Sequence, residues 1–184
     1  GAAEAVPGVV TVVTAADVPR NEYGLTKFDQ PVLINPINTD DVAVATNVSR
    51  WEADHLAVVV AETVEAANAG AVAIVAEWEQ LELVPDIDAA LDDRVLVHPQ
   101  DGTNSYTHLK IRHGDVEQGF ADADVIVEHT YEVPYQEHAY LQPEAATAWI
   151  DESGRVTVEV AGQWTHEDQE QVAHALMLDP AQVR

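Results

Sequence analysis

The chain has 184 residues, 47% of them hydrophobic, which is enough for a buried core and argues against a disordered segment. Its 33 acidic residues stand against 8 basic ones, a formal charge of −25 that excludes a surface built to hold a nucleic-acid backbone or an anionic membrane. Cysteine is absent, so disulfides, thiolate metal sites and iron–sulfur ligation by this segment are excluded as well.

The first eight residues carry neither a basic leader nor an apolar stretch, so no export signal is visible and a cytoplasmic location is expected. The longest apolar runs, residues 56–61 and 71–76, fall far short of the roughly 20 residues of a membrane-spanning helix. The acids are scattered, with Lys27 and Lys110 as the only lysines, which describes a solvated surface. Adaptation to high salt and a genome biased toward Ala, Val and Asp both account for it.

Residues 9–14, β-branched throughout and introduced by Pro7-Gly8, predict a buried strand, and the stretch through Val18-Pro19 ends it. A polar surface loop is expected over 20–30, then short apolar strands over 31–34, 42–45 and 56–61. A helix is expected over 62–70, with Thr63 near its start and Gly70 as C-cap, followed by a strand over 72–81 and a helical turn at 86–91. Turn residues concentrate in 99–105 and predict a domain boundary.

Beyond that boundary the residues alternate at 108–113 and 125–133, as strands with one solvated face do, and a helical turn is expected over 115–120. Residues 145–150 and 156–161 flank Asp151-Glu152-Ser153-Gly154, a hairpin signal. A last helix is expected with Thr165 as N-cap, an apolar stripe of Val172, Ala173, Leu176 and Met177, and an end at Asp179-Pro180.

No glycine-rich nucleotide loop, serine-hydrolase elbow or zinc-protease helix motif occurs. Among the eight histidines the most suggestive pairs are Glu128-His129 and Glu137-His138, but they lack the spacing of helical metal ligands, and no metal ligand is assigned. Residues 135–146 interleave polar and aromatic side chains without a period, which fits either a loop satisfying backbone groups or a segment that shapes a cofactor site. Gly162-Gln163-Trp164-Thr165 sets a glutamine amide where a strand ends and a helix begins.

In order, these pieces resemble the molybdenum-binding large subunit of the xanthine dehydrogenase and aldehyde oxidase family, the molybdenum hydroxylases. The resemblance runs through Val6-Pro7-Gly8-Val9-Val10 and Thr14-Ala15-Ala16-Asp17-Val18-Pro19, then Leu56-Ala57-Val58-Val59-Val60-Ala61-Glu62-Thr63. It continues through Gly114-Asp115-Val116-Glu117-Gln118-Gly119-Phe120 and Gln136-Glu137-His138-Ala139-Tyr140-Leu141-Gln142-Pro143-Glu144. Gln142 stands where the family usually has a glutamate, which leaves a structural role for Glu144, and Trp51-Glu52-Ala53-Asp54-His55 departs from the family's usual entry.

The resemblance implies an α+β chain: an α/β hammerhead domain over residues 1–95, a linker over 96–104, and the start of a molybdenum-cofactor domain over 105–184. It implies that Gln163 is the cofactor-binding residue, hydrogen-bonding an oxo ligand of a molybdenum–pterin cofactor, and that the catalytic glutamate base and a glycine-rich loop lie beyond Arg184. The expectation is a fragment truncated at both ends and inactive by itself. The parent would hydroxylate a carbon of an N-heterocycle or aldehyde with water as oxygen source. Its partners would be the remainder of the molybdenum subunit, 2Fe-2S and FAD subunits or domains, and a small-molecule substrate. A non-catalytic acidic interaction module and a naturally split large subunit are the alternatives.

Overall fold

Strand β1 (Val9–Val13) forms where β-branched residues are densest and pairs antiparallel with β2 (Val58–Ala61), Val13 opposite Val58 and Val9 opposite Ala61. The register shifts between Val9 and Thr11, the mark of a bulge. The computed structural model describes residues 1–25, 27–35 and 47–184; the strand expected at 42–45 lies outside the described residues. Two compact units form, one from residues 1–79 with 142–184 and the other from residues 80–141.

In the first unit, helix α1 (Val64–Val72) starts where expected, with the Thr63 side chain accepting from the Ala66 N–H at 3.1 Å. Gly70 is not its C-cap. It is buried inside the helix, and Ala73 caps the end. A Cβ on Gly70 would lie 2.8 Å from Val59 Cγ1 and 2.9 Å from Val9 Cγ2, so the missing side chain is what lets α1 approach both strands.

The loop that follows β1 is more ordered than its polarity suggests. A 3-10 turn (Ala15–Asp17) is closed by a Thr14/Asp17 capping box, and Tyr23 pairs with Gln30 across an isolated antiparallel bridge. Buried Asn21 donates from Nδ2 to the Leu33 carbonyl at 2.7 Å and accepts the Leu33 N–H at 2.8 Å. The expected strand at 31–34 is absent for this reason. An asparagine side chain and the His55 carbonyl, which accepts the Ile34 N–H at 2.7 Å, hold this segment instead of a neighbouring strand. Tyr23 and Arg50 are half-buried beside Asp54 and Asp29. Burial above all, with the two acids, raises the Tyr23 phenol, while burial lowers Arg50 against the opposing pull of those acids.

The same unit holds the hairpin of β3 (Ala146–Ile150) and β4 (Val156–Val160), antiparallel with Ala146 opposite Val160 and Ile150 opposite Val156. Asp151 closes its turn: its carboxylate accepts from the Ser153 hydroxyl at 2.6 Å and N–H at 2.8 Å and from the Arg155 N–H at 3.0 Å, with Gly154 at φ 83°. The chain's last residues return beside β4 in parallel. Arg184 donates its N–H to the Val156 carbonyl and accepts the Val158 N–H, both at 2.8 Å. Helix α4 (Thr165–Leu176) lies between, its Ala173 only 1% exposed, and ends at Met177 in the left-handed region with φ 56°.

In the second unit, α2 (Ile87–Leu91) and α3 (Val116–Ala121) are N-capped by Asp86 and Asp115, each accepting a backbone N–H three residues on. Between them Asn104 ties three stretches together, donating to the carbonyls of Ala90 (3.0 Å) and Val95 (2.8 Å) and accepting from the Val97 N–H (2.8 Å). The strands expected at 108–113 and 125–133 do not form, and neither does the one at 72–81, which crosses from the first unit. A strand exists only with a hydrogen-bonded neighbour, and among the described residues these segments have none, so Ile111 is 92% exposed and Val127 80% exposed.

Candidate cofactor-binding turn

The turn that carries Gln163 is built from its two flanking elements. β4 ends at Val160, Ala161 and Gly162 follow without regular structure, and α4 begins at Thr165 with Trp164 at the cap position. Thr165 is therefore the first helical residue rather than the N-cap, and Trp164 offers no side-chain oxygen to the helix. The chain's own acids serve that end instead: Glu167 and Asp168 lie in the first turn, and Asp168 Oδ2 sits over Gly162, 2.5 Å from where a Cβ would be.

This arrangement decides which ligand chemistry the turn can take. With two carboxylates already at the positive end of α4, a further anion meets repulsion there, so the helix start is no phosphate cradle. Gln163 is exposed, and its side-chain amide makes no hydrogen bond among the described residues. A neutral amide with N–H groups to spare suits a metal-bound oxygen without changing the charge of the site. The turn thus offers one neutral amide donor beside a helix end already served by its own carboxylates.

The surrounding elements fix where Gln163 sits. Gln169, one turn into α4, donates from Nε2 to the carbonyls of Pro180 at 3.0 Å and Val183 at 2.6 Å, tying the helix to the segment that runs beside β4. At the other end of α4, His174 Nε2 lies 2.9 Å from Glu22 Oε1 and Nδ1 lies 3.3 Å from Arg20 Nη1, while the ring packs on Phe28 at 4.0 Å between centroids. These contacts border an open cleft of about 450 Å³ that Gln163 does not line. Sequence reasoning misses this cluster. Its only sequence signal is a histidine beside the apolar stripe of α4, and its hydrogen-bond partners Arg20 and Glu22 lie more than 150 residues away in the chain.

The other expected positions are placed differently. In the segment 135–146, Ala139 adopts φ 53° and its N–H is accepted by Glu137 Oε1 at 3.3 Å, so one side chain of the stretch does satisfy a backbone group. Tyr135 and Leu141 are fully exposed. His129 stands edge-on to Tyr131 at 5.1 Å, and among the described residues no three His, Cys, Asp or Glu side chains group as a metal site would require. Among those residues, too, no helix is long and apolar enough to cross a membrane.

Residues 1–82 match the family "Aldehyde oxidase and xanthine dehydrogenase, a/b hammerhead domain", and residues 97–184 match "Molybdopterin cofactor-binding domain". The chain is 34% identical over 183 residues to a probable xanthine dehydrogenase subunit of Bacillus subtilis, covering 99% of this chain and 23% of that protein. It is 32% identical over 184 residues to the nicotinate dehydrogenase large molybdopterin subunit of Eubacterium barkeri, covering 99% of this chain and 40% of that protein. The fold superposes on the aldehyde oxidoreductase of Desulfovibrio gigas with a TM-score of 0.75 at 25% identity, covering 98% of this chain and 20% of that one. The chain thus spans less than half the length of each of these relatives. The two family matches, in the order that the sequence motifs follow, identify the chain as a member of the xanthine dehydrogenase and aldehyde oxidase family of molybdenum hydroxylases.

Proposed function

We propose that this chain forms one wall of a molybdenum–pterin site in an enzyme that hydroxylates a carbon of an N-heterocycle or aldehyde, with water as the oxygen source. The observation that carries the reading is the uncommitted amide of Gln163 on the β4–α4 turn, inside the segment that matches the cofactor-binding family. When bound, the molybdenum–pterin group would supply the redox chemistry. Gln163 would donate an N–H to an oxygen ligand and orient it, and the Gln169 bonds to Pro180 and Val183 would keep the turn from shifting. No general base is assigned within residues 1–184; this reading puts the glutamate base C-terminal to Arg184.

The same reading divides the chain into a hammerhead domain over 1–95, a linker over 96–104 and the start of the cofactor domain over 105–184, a division supported by the two family matches. Its partners are the remainder of the molybdenum subunit and, for electron exit, 2Fe-2S and FAD domains or subunits, in the cytoplasm. Unpaired apolar segments such as 125–133 support the first of these, because strand partners from elsewhere would cover them. An N-heterocycle is favoured over an aldehyde because the names of the two bacterial relatives point to xanthine and nicotinate, both N-heterocycles.

Gln163→Ala in the full-length protein tests the assignment. Loss of the donated hydrogen bond should lower kcat/KM about 10–100-fold with molybdenum content retained. An unchanged kcat/KM would remove Gln163 from the site.

A further inference from the structure

The geometry points to His174 as a proton-sensitive clasp that fastens Arg20, Glu22 and Phe28 onto helix α4. A guanidinium can only donate hydrogen bonds, so the contact of Arg20 Nη1 with His174 Nδ1 at 3.3 Å requires a lone pair on Nδ1. The proton of the neutral ring therefore sits on Nε2, where it is donated to Glu22 Oε1 at 2.9 Å. Each ring nitrogen has one partner, and the two partners carry opposite charge.

The rest of the contact is of the same kind. Phe28 covers the ring at 4.0 Å, and the Arg20 N–H donates to the Ala175 carbonyl at 3.0 Å, so residue 20 is bound to α4 through both side chain and backbone. Arg20, Glu22 and Phe28 come from the segment that matches the hammerhead family and His174 from the segment that matches the cofactor-binding family. The clasp therefore joins the two matched segments within one compact unit.

Protonation would break this arrangement on one side only. With a proton on each nitrogen, Nδ1–H faces the Arg20 guanidinium, which loses its acceptor and meets a like charge, while the contact with Glu22 becomes an ion pair. Among the described residues, Glu170 lines the same cleft from α4, and Lys27 and Asp29 flank Phe28 on the loop side. Leu178 and Pro180 complete that wall without charge. The neutral ring thus holds both arms of the loop, and acidification releases the Arg20 arm.

Hydrogen exchange of the full-length protein, read on peptides covering residues 17–34 and corrected for the intrinsic pH dependence of exchange, tests this. Between about pH 8 and about pH 5.5, protection of the Arg20 amide should fall about fivefold or more, as expected when loss of the guanidinium's hydrogen bond to His174 loosens the residue that carries that amide. His174→Gln replaces the neutral ring with one acceptor and one donor that do not titrate. It should keep the high-pH protection at both pH values. Unchanged protection in the wild type on acidification would overturn the clasp, as would a His174→Gln variant that loses protection at high pH or retains the wild-type pH dependence.

Discussion

Gly70 of α1 faces Val59 of β2 so closely that a Cβ would stand 2.8 Å from the valine methyl Cγ1. Valine is stiff at χ1 and cannot swing aside, so the strand or the helix would have to move. Gly70→Ala should therefore destabilise the chain by about 1–3 kcal/mol through overpacking. Gly119, inside α3, is the control: nothing lies within 4 Å of its added Cβ and its φ is not positive, so Gly119→Ala should stabilise α3 by about 0.5–1 kcal/mol. Urea unfolding of both variants checks the pair, and equal effects at the two positions would contradict the packing reading.

The hairpin turn makes a prediction about acid. The Asp151 carboxyl is held well below the usual carboxylate range, first by the Ser153 hydroxyl and then by the Arg155 and Ser153 N–H groups and the Arg155 charge. A carboxylate whose folded pKa is depressed contributes stability above its unfolded pKa, about 3.9 for aspartate, and loses it as pH falls toward the folded value. Wild type should therefore melt above Asp151→Ala at pH 7, and the gap should narrow as pH falls below that unfolded pKa. A gap independent of pH would show that the charge of Asp151 does not stabilise the turn.

The acidic surface predicts a response to salt. With a formal charge of −25, self-repulsion opposes the compact state, and its range shrinks from about 10 Å at 0.1 M salt to about 3 Å at 1 M. The melting temperature in about 2 M potassium chloride should exceed that in about 0.1 M by about 3 °C or more, the shift that roughly 1 kcal/mol gives a chain of this size. A melting temperature that is flat or falls with salt would mean that the charges are paired or too far apart to matter.

Local chemistry is legible in the sequence wherever it acts within a few residues. Thr63, Asp86 and Asp115 announce their helices because a capping side chain reaches only three residues on, and Asp151 to Gly154 announces the hairpin for the same reason. Gly70 misleads because a glycine late in a helix resembles a C-cap, and only its approach to Val9 and Val59 shows otherwise. The strands expected at 108–113 and 125–133 rest on alternation and the one at 72–81 on an apolar run, and neither pattern can supply the neighbour that a strand needs. Asn21 and His174 are illegible because their partners are set by the fold, twelve residues away in one case and more than 150 in the other. Gln163 stands out through family resemblance, and the structure adds what that resemblance lacks: a turn whose helix end is already served by its own acids, leaving a neutral amide as the group to offer.

The central claim, that this chain is part of a molybdenum–pterin enzyme, is tested most directly by the metal content of the full-length protein, purified from cells able to make the cofactor and measured by mass spectrometry alongside released pterin. Molybdenum and pterin are expected in equal amounts, approaching one of each per chain. Protein that is folded and contains neither would contradict the claim.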